Sequence, residues 1–289
     1  MRTIITCILC LLVLSGACQS KSYDYCYSGN KGKYVYSIAD NKAYPILQGS
    51  SATDLCISPD GMKVAYTINT KDGRQIGVID LNSKRKTTLN TQSNNCYGPV
   101  WSPDGQYIAY NVFNDQTSKW SVAIIGTAPG SSPQVLTAKL TECYMPTWAS
   151  DSKNVVVQDM SAVYRFDLPG NIVATINIPA PPKTFGASSS DRFIFTADNK
   201  KMVFTLAVDE PGFDDGPPDA VFVYDMDSRT TLRLSPKGYW AEGVWLNGVR
   251  VLFTGGAVKS KTENIYTVGI DGENLKILFR NAGGISAKN

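Results

Sequence analysis

One short block of residues recurs along this chain and constrains its fold more than any other feature. Ile-Ser-Pro-Asp-Gly at residues 57–61 is followed by an apolar strand, and Trp-Ser-Pro-Asp-Gly at residues 101–105 is followed by another. Weaker copies begin at Trp148, Phe195 and Trp245. The five leading positions are separated by 44, 47, 47 and 50 residues. These spacings are close to the roughly 40–45 residues of a four-stranded propeller blade.

Each copy has the chemistry of a β-hairpin. Proline fixes φ at the start of the turn, and glycine accepts the positive φ that ends it. Two further strands follow each copy, as at residues 77–80 and 87–89, so one repeat supplies four strands. Outside residues 1–17, no stretch has sustained helical periodicity.

Five repeats cover residues 52 to about 280 and leave strands over at both ends. Residues 33–38 and 43–47 have the pattern of two outer strands, whereas residues 282–289 are enough for one short strand. We therefore predict an all-β protein, a six-bladed β-propeller whose last blade is closed by strands from both termini. Closure of this kind removes exposed sheet edges.

The first residues have the pattern of an export signal. Arg2 precedes an apolar stretch, and the small residues at 15–17 suit a processing site. Residues 14–18, Leu-Ser-Gly-Ala-Cys, resemble the bacterial lipobox, in which the cysteine becomes the lipid-modified first residue. We predict a signal peptide at 1–17, a lipid-anchored tether at 18–22 with the lipid on Cys18, and the propeller at 23–289. Ordinary cleavage after Ala17, which would leave a free thiol, is the alternative.

Composition excludes several classes of function. The chain contains no histidine, which removes Ser-His-Asp and Cys-His catalytic arrangements and zinc sites built on imidazole. The formal net charge of +3 gives no concentrated positive surface, so we expect no nucleic-acid partner. Any catalysis would depend on carboxylates, tyrosine, lysine or cysteine.

Four cysteines follow residue 18: Cys26, Cys56, Cys96 and Cys143. An even number in an exported chain permits disulfides, and buried free thiols are the alternative. Cys96 and Cys143 each precede a repeat tryptophan by five residues, which places them at equivalent positions of neighbouring inner strands. They are the predicted disulfide pair, provided that their Cα atoms approach within about 6.8 Å.

The Trp-Ser-Pro-Asp-Gly block and its apolar strand resemble the propeller repeat of TolB-like proteins over residues 32–280, and also that of prolyl oligopeptidase relatives. Because TolB binds a peptidoglycan-associated lipoprotein, the resemblance implies binding of other envelope components. We expect no counterpart of the N-terminal α/β domain of TolB or of the peptidases' hydrolase domain. In these families the face opposite the Pro-Asp-Gly turns usually carries the binding site.

We expect that same face to bind a ligand or partner here, because its loops hold residues with no repeat counterpart. The candidate contact residues are aromatic: Trp120, Tyr144, Phe213, Tyr239 and Trp240. The acidic loop at residues 209–219 could also hold Ca²⁺, which takes six to eight oxygen ligands. The candidate ligands are Asp209, Asp214, Asp215 and Asp219. A solvated acidic loop with no cofactor is the alternative.

These features favour a non-catalytic protein-interaction module of the bacterial cell envelope. We expect an exported monomer, facing the periplasm or the cell surface and attached to a membrane only through its N-terminal lipid. A glycan-binding envelope lipoprotein is the alternative, since aromatic side chains with one exposed side also suit sugar rings. An enzyme acting through carboxylates would need two of them about 5–5.5 Å apart, and no such pair can be assigned from the sequence.

Overall fold

The repeats form a ring of six four-stranded sheets in the computed structural model, which describes residues 20–49, 51–211, 216–258, 260 and 262–288. In these residues all regular structure is β, and no helix is long and apolar enough to cross a membrane. The strands, in chain order, are β1 (Tyr25–Gly29), β2 (Gly32–Ser37), β3 (Lys42–Gln48), β4 (Ala52–Ile57), β5 (Lys63–Thr70), β6 (Gly73–Asp80), β7 (Lys86–Thr88), β8 (Cys96–Trp101), β9 (Tyr107–Asn114), β10 (Lys119–Gly126), β11 (Pro133–Val135), β12 (Tyr144–Trp148), β13 (Asn154–Gln158), β14 (Ala162–Asp167), β15 (Ile172–Asn177), β16 (Phe193–Phe195), β17 (Lys201–Ala207), β18 (Asp219–Asp225), β19 (Thr231–Arg233), β20 (Tyr239–Asn247), β21 (Arg250–Ala257), β22 (Asn264–Gly269), β23 (Lys276–Arg280) and β24 (Ala282–Ala287).

Each sheet is one antiparallel blade. Blades 1 to 5 comprise β4–β7, β8–β11, β12–β15, β16–β19 and β20–β23. Blade 6 has the order β24-β1-β2-β3, with the last strand of the chain beside the first. The first strand of each blade lies innermost, β24 in blade 6, and β24, β4, β8 and β12 contact one another in turn. The prediction of a six-bladed propeller closed by strands from both termini is confirmed.

The closing strand β24 is held by pairing and by burial. It pairs antiparallel with β1, with Ser286 opposite Cys26. Ile285 and Ala287 are buried in a core shared with neighbouring blades. The fully buried Ser286 hydroxyl accepts a hydrogen bond from the Ile57 backbone N–H of blade 1 (2.8 Å). The C-terminal strand therefore joins blade 6 to blade 1 as well as completing its own sheet.

The repeated turns owe their shape to their own side chains. In blade 1 the Ser58 hydroxyl donates to the Asp60 carboxylate (2.6 Å), which also accepts the Met62 backbone N–H (2.9 Å). Gly61 takes a positive φ of 69°, a conformation that disfavours a side chain. The same Ser-to-Asp bond, also 2.6 Å, recurs in the blade 2 turn. Local chemistry thus specifies the turns of blades 1 and 2, and turns of the same five-residue length join the first two strands of blades 3 and 4.

Two of the repeat tryptophans, Trp101 and Trp148, wedge between their own blades and the blades that precede them. Trp101 and Trp148 are buried, each about 7% exposed. The Trp101 indole donates to the Cys56 carbonyl oxygen of blade 1 (3.1 Å), and the Trp148 indole donates to the Val100 carbonyl oxygen of blade 2 (3.1 Å). Each indole therefore ties its own blade to the preceding one through a buried hydrogen bond.

Trp245 is also buried but points the other way round the ring. Its indole donates to the Ala287 carbonyl oxygen of blade 6, the following blade (3.1 Å). The turn of blade 5 contains two residues instead of five, and Leu246 pairs with Val251 at the position where Trp101 pairs with its partner in blade 2. A shift of one residue reverses the face that a strand side chain occupies. The sequence alignment of Trp245 with Trp101 was therefore wrong by one residue.

The four propeller cysteines are free and buried, so the predicted Cys96–Cys143 disulfide is absent. The Cys143 thiol donates to the Thr137 hydroxyl (2.8 Å), and the Cys96 thiol lies 4.0 Å from the Ser93 carbonyl oxygen. Equivalent positions in a ring are related by rotation, so both thiols face the same way round it and not each other. Burial raises the pKa of the Cys143 thiol to about 11, which keeps it protonated and unreactive at neutral pH.

Candidate functional site

The two faces of the propeller differ in how variable their loops are. On the turn face, the first two strands of blades 1 to 4 are joined by five residues, as at 58–62 and 102–106. On the opposite side, the loop face, the connections between second and third strands range from two residues (71–72) to eleven (208–218). Binding residues concentrate on variable loops over a rigid scaffold, so the loop face is the better candidate.

A repeated kink in the inner strands shapes the mouth of the central channel on the loop face. A β-bulge interrupts the pairing of the innermost strand in blades 1, 2, 3, 5 and 6. One residue beside each bulge takes a positive φ of 49–66°: Asp54, Gly98, Met145, Gly243 and Gly284. Bulges redirect neighbouring side chains and are over-represented beside functional sites.

Buried polar side chains fix these kinks to the neighbouring blade. The Thr67 hydroxyl of blade 1 accepts a hydrogen bond from the Gly98 N–H of blade 2 (3.1 Å). The Thr254 hydroxyl of blade 5 accepts one from the Gly284 N–H of blade 6 (2.9 Å). Five blades place a buried polar residue at this second-strand position: Thr67, Asn111, Gln158, Thr205 and Thr254. The rim, meaning the inner-strand residues around the channel mouth, is therefore hydrogen-bonded from one blade to the next. These bonds make it a rigid support.

Trp120 lies in an aromatic cluster on the loop face. Its ring centroid is 5.0 Å from that of Tyr97 and 5.0 Å from that of Phe113. The Arg74 guanidinium carbon lies 4.3 Å from the Tyr97 centroid and 5.0 Å from the Trp120 centroid, while Arg74 Nε donates to the Asn95 side chain (3.0 Å). All of these side chains are partly exposed. Arg74, Tyr97 and Trp120 are called the Arg74 stack below.

The predicted contact residue Tyr144 lies beside the Arg74 stack. The Glu142 carboxylate lies between the two, because it accepts the Trp120 backbone N–H (3.3 Å) and interacts with the Tyr144 hydroxyl. It also forms an ion pair with Lys119 (3.8 Å). Tyr144 is buried, and burial together with the Glu142 carboxylate raises the pKa of Tyr144 to about 12. The structure therefore brings Trp120 and Tyr144 together where blades 2 and 3 meet. Arg74 was missed, because nothing in the sequence marks it as a neighbour of Trp120.

The other predicted aromatic residues belong to a separate part of the loop face. Tyr239 and Trp240 begin β20 in blade 5. The Tyr239 ring packs edge-on against Tyr266, with centroids 6.0 Å apart, and the Trp240 ring covers Gly256 of β21, where an added Cβ would lie 3.2 Å from Trp240 Nε1. Phe213 lies outside the described residues. The structure thus divides the predicted contact set between two groups of blades.

Carboxyl groups gather at the blade 4 and blade 5 side of the mouth. Asp191 is buried and accepts the Ser188 backbone N–H (2.6 Å), and burial raises its pKa. Burial, Asp191 and Glu242 together raise the pKa of Asp219 to about 6. The pKa of Glu242 is also raised, by desolvation and by the Glu263 carboxylate. This side of the mouth is therefore acidic, while the Arg74 stack is basic.

Replacing Asp219 with Asn should stabilise the protein at neutral pH. Because the folded state raises the pKa of Asp219 from 3.8 to about 6, the protonated carboxyl carries no penalty below pH 4. The penalty grows between pH 4 and 6 and is complete above pH 6. Asp219→Asn should gain about 1–2 kcal/mol at pH 7, allowing for partial solvent screening, and almost nothing at pH 4.

Urea unfolding of Asp219→Asn at pH 4, 5.5 and 7 measures this gain. Asp225→Asn is the matched control of opposite sign, because the Lys201 ammonium lowers the pKa of Asp225 and its loss should destabilise the protein at pH 7. An Asp219→Asn variant with the same stability as the parent at pH 7 would contradict the prediction.

Arg192 projects into the central channel from the residue before β16. Its Nη2 atom lies 3.6 Å from the point where a Cβ on Gly98 would sit, although Gly98 belongs to blade 2 and Arg192 to blade 4. Desolvation lowers the pKa of Arg192, and Asp54, Cys56 and Tyr97 oppose that shift. Sequence reasoning missed Arg192, because only the ring geometry brings it to blades 1 and 2.

One acidic residue of the loop at residues 209–219, Glu210, stabilises the fold. The Glu210 carboxylate forms an ion pair with Arg233 and accepts the Gly238 backbone N–H (2.9 Å), and the Arg233 hydrogen bond lowers the pKa of Glu210. Asp209 is exposed beside a groove of about 490 Å³. Asp214 and Asp215 lie outside the described residues. Within the described residues, no group of three or more His, Cys, Asp or Glu side chains could hold a metal ion. Calcium binding by this loop stays a prediction.

Comparison with solved structures places the fold among TolB-like propellers. The structure assigned as TolB of Agrobacterium tumefaciens aligns with a TM-score of 0.63 at 16% identity, over 90% of this chain and 90% of that one. TolB of Acinetobacter baumannii aligns with a TM-score of 0.64 at 16% identity, over 92% of this chain and 66% of that one. A nidogen–laminin complex gives a TM-score of 0.62 at 12% identity, over 93% and 99%. No protein-family profile and no curated protein matches the chain, so the likeness shows the fold alone.

Proposed function

We propose that this protein is a non-catalytic protein-interaction module of the bacterial cell envelope, which binds its partner through the loop face. The observation that carries the proposal is the Arg74 stack. Its tryptophan, tyrosine and arginine are the residue types that dominate binding energy at protein interfaces. They are partly exposed, and Gly98, next to Tyr97, is hydrogen-bonded to the neighbouring blade. A partly exposed, pre-ordered cluster loses little conformational entropy on binding.

The arrangement of the stack favours a protein partner over a glycan. A sugar ring needs an open aromatic face, whereas the Tyr97 ring meets Trp120 edge-on at 87° and also contacts the Arg74 guanidinium. An arginine held against two aromatic rings instead offers a cation to acidic side chains of another protein. The glycan-binding alternative therefore becomes one outcome of the test.

Replacing Trp120 with Ala should weaken partner binding about thirtyfold, corresponding to about 2 kcal/mol for an anchor residue. The measurement is quantitative capture of crosslinked envelope proteins from native membranes, with the wild-type protein as reference. Val249→Ala is the matched control, because Val249 is 71% exposed in the short turn on the turn face. Trp120→Phe keeps an aromatic ring packed against Phe113. It therefore shows whether weaker binding comes from the missing indole or from disorder of the aromatic cluster.

Equal capture by Trp120→Ala and Val249→Ala would contradict loop-face binding at this stack. Loss of signal on a glycan array, with protein capture unchanged, would favour the glycan-binding alternative. Melting curves for each variant show whether the cluster is still folded at the temperature of the assay.

The start of the propeller lies on the turn face, which bears on the proposed lipid anchor. The Tyr23 backbone N–H donates to the Gly61 carbonyl oxygen in the blade 1 turn (2.9 Å), and the Lys21 backbone N–H donates to Asn82 (3.0 Å). A lipid on Cys18, three residues before Lys21, would hold the turn face toward the membrane. The loop face would then point away from the membrane and be free to meet a partner.

Export and acylation of Cys18 are part of this proposal. Intact-mass analysis of protein from native membranes should show a lipidated Cys18 as the first residue, with residues 1–17 removed. Cys18→Ala should move the protein out of the membrane fraction, whereas Ser20→Ala in the same tether should not. An unmodified Cys18, or a Cys18→Ala variant that still sediments with membranes, would contradict the anchor.

A further inference from the structure

Arg192 is a cation that the fold itself does not neutralise. It forms no hydrogen bond or ion pair within the part of the chain that the structure describes. The nearest acidic group that affects it is Asp54, and the Asp54 carboxylate already accepts hydrogen bonds from Thr67 (2.7 Å) and Thr53 (3.3 Å). Arg192 is partly exposed, and its Nη2 atom lies beside Gly98 of blade 2, so its guanidinium is open to a ligand that enters the channel. A cation that a rigid site holds without a protein partner is a candidate anion-binding group.

We propose that Arg192 binds a carboxylate of an acidic protein segment that enters the channel mouth from the loop face. This inference rests on the proposed function and names the chemistry of the partner. The planar guanidinium matches a carboxylate through two parallel hydrogen bonds. One uncompensated positive charge with Asp54 nearby suits a monoanion, and the acidic rim at Asp219 and Glu242 disfavours a dianion such as phosphate.

The Arg74 stack extends this site along the rim. Arg74 and Arg192 both oppose the rise in the pKa of Tyr97, so the Tyr97 ring lies within the electrostatic reach of both guanidinium groups. A segment with one acidic side chain on Arg192 would place its next residues against Tyr97 and Trp120. Acidic residues flanked by apolar ones are therefore the expected recognition sequence.

The test uses the whole protein with defined peptides. Acetyl-Leu-Glu-Leu amide (the glutamate peptide), which carries one carboxylate between apolar residues, and its uncharged counterpart acetyl-Leu-Gln-Leu amide are titrated by calorimetry into wild type, Arg192→Met and Arg165→Met. Arg165 on β14 is the matched control, since it is also a partly buried arginine. Its Nε atom has no hydrogen-bond partner, and its guanidinium packs over the Phe195 ring. We expect wild type and Arg165→Met to bind the glutamate peptide alike, and Arg192→Met to bind it about thirtyfold more weakly.

A second measurement separates a binding role from a structural one. If Arg192 only supported the fold, Arg192→Met would lower the melting temperature. We expect the melting temperature to rise, because the variant removes an unpaired cation from a confined site. A lower melting temperature with unchanged peptide affinity would overturn the proposal, as would failure of wild type to bind the glutamate peptide at about 10 mM.

Two further arms define the ligand. Acetate and inorganic phosphate are titrated in parallel, and Arg192-dependent binding of phosphate at least as tight as that of the glutamate peptide would overturn the carboxylate assignment. Loss of native partner capture in Trp120→Ala but not in Arg192→Met would overturn the role of Arg192 and leave the proposed function standing. Loss in neither variant would instead contradict the proposed function.

Discussion

Deletion of residues 282–289 should unfold the whole propeller instead of fraying one end. The deletion removes β24, exposes the β1 edge and leaves the Ile57 N–H without its Ser286 acceptor. It also removes the Ala287 carbonyl that receives the Trp245 indole. We expect a loss of about 5 kcal/mol or more, comparable with the whole stability of many domains. Urea unfolding followed by circular dichroism measures the loss.

Deletion of residues 288–289 alone is the matched control for this truncation. It removes the Lys288 contacts with Asp24, a backbone hydrogen bond of 2.9 Å and an ion pair of 3.0 Å. An accessible ion pair contributes about 0–1 kcal/mol, so the control should remain folded. If the longer truncation melted within a degree or two of the full chain, closure by β24 would not stabilise the ring.

The architecture could be predicted from the sequence because its signal is local. The turn in blade 1 is determined by Ser58, Asp60 and Gly61, which contact one another within four residues. The repeat then counts the blades, and the surplus of strands at the two ends predicts the closure. No long-range contact had to be known for any of these steps.

The details that failed depend on orientation and register instead. A shortened turn in blade 5 moved Trp245 to the opposite side of its strand, and no residue type announces such a shift. The Cys96 and Cys143 positions were equivalent as predicted, but equivalence in a ring turns both thiols the same way. Arg192 approaches Gly98 of blade 2 only because the ring brings blades 2 and 4 to the same central channel. Sequence spacing does not encode that proximity.

The charged groups at the channel mouth support the proposal that the loop face binds a partner. Asp219 has a raised pKa and Arg192 a lowered one, so the folded state disfavours the charged form of both groups. Asp225, whose pKa is lowered by its Lys201 partner, is an example of the opposite case, a charged group that folding favours. Titratable groups whose charged form is disfavoured by folding are concentrated at functional sites. Asp219 and Arg192 are two such groups at the channel mouth.

Replacing Trp101 with Ala should cost about 3–5 kcal/mol, the usual range for a buried aromatic residue cut back to a methyl group. Trp101 is buried in the core shared by several blades, and its indole donates to the Cys56 carbonyl oxygen (3.1 Å). The substitution opens a cavity between blades 1 and 2 and leaves that carbonyl without its donor. Trp101→Phe keeps most of the packing and loses the donor, so it should cost about 1–3 kcal/mol. Urea unfolding midpoints of the two variants separate packing from hydrogen bonding, with Val249→Ala as the exposed control. A Trp101→Ala variant that lost less than about 1 kcal/mol would show that the wedge between blades does not stabilise the ring.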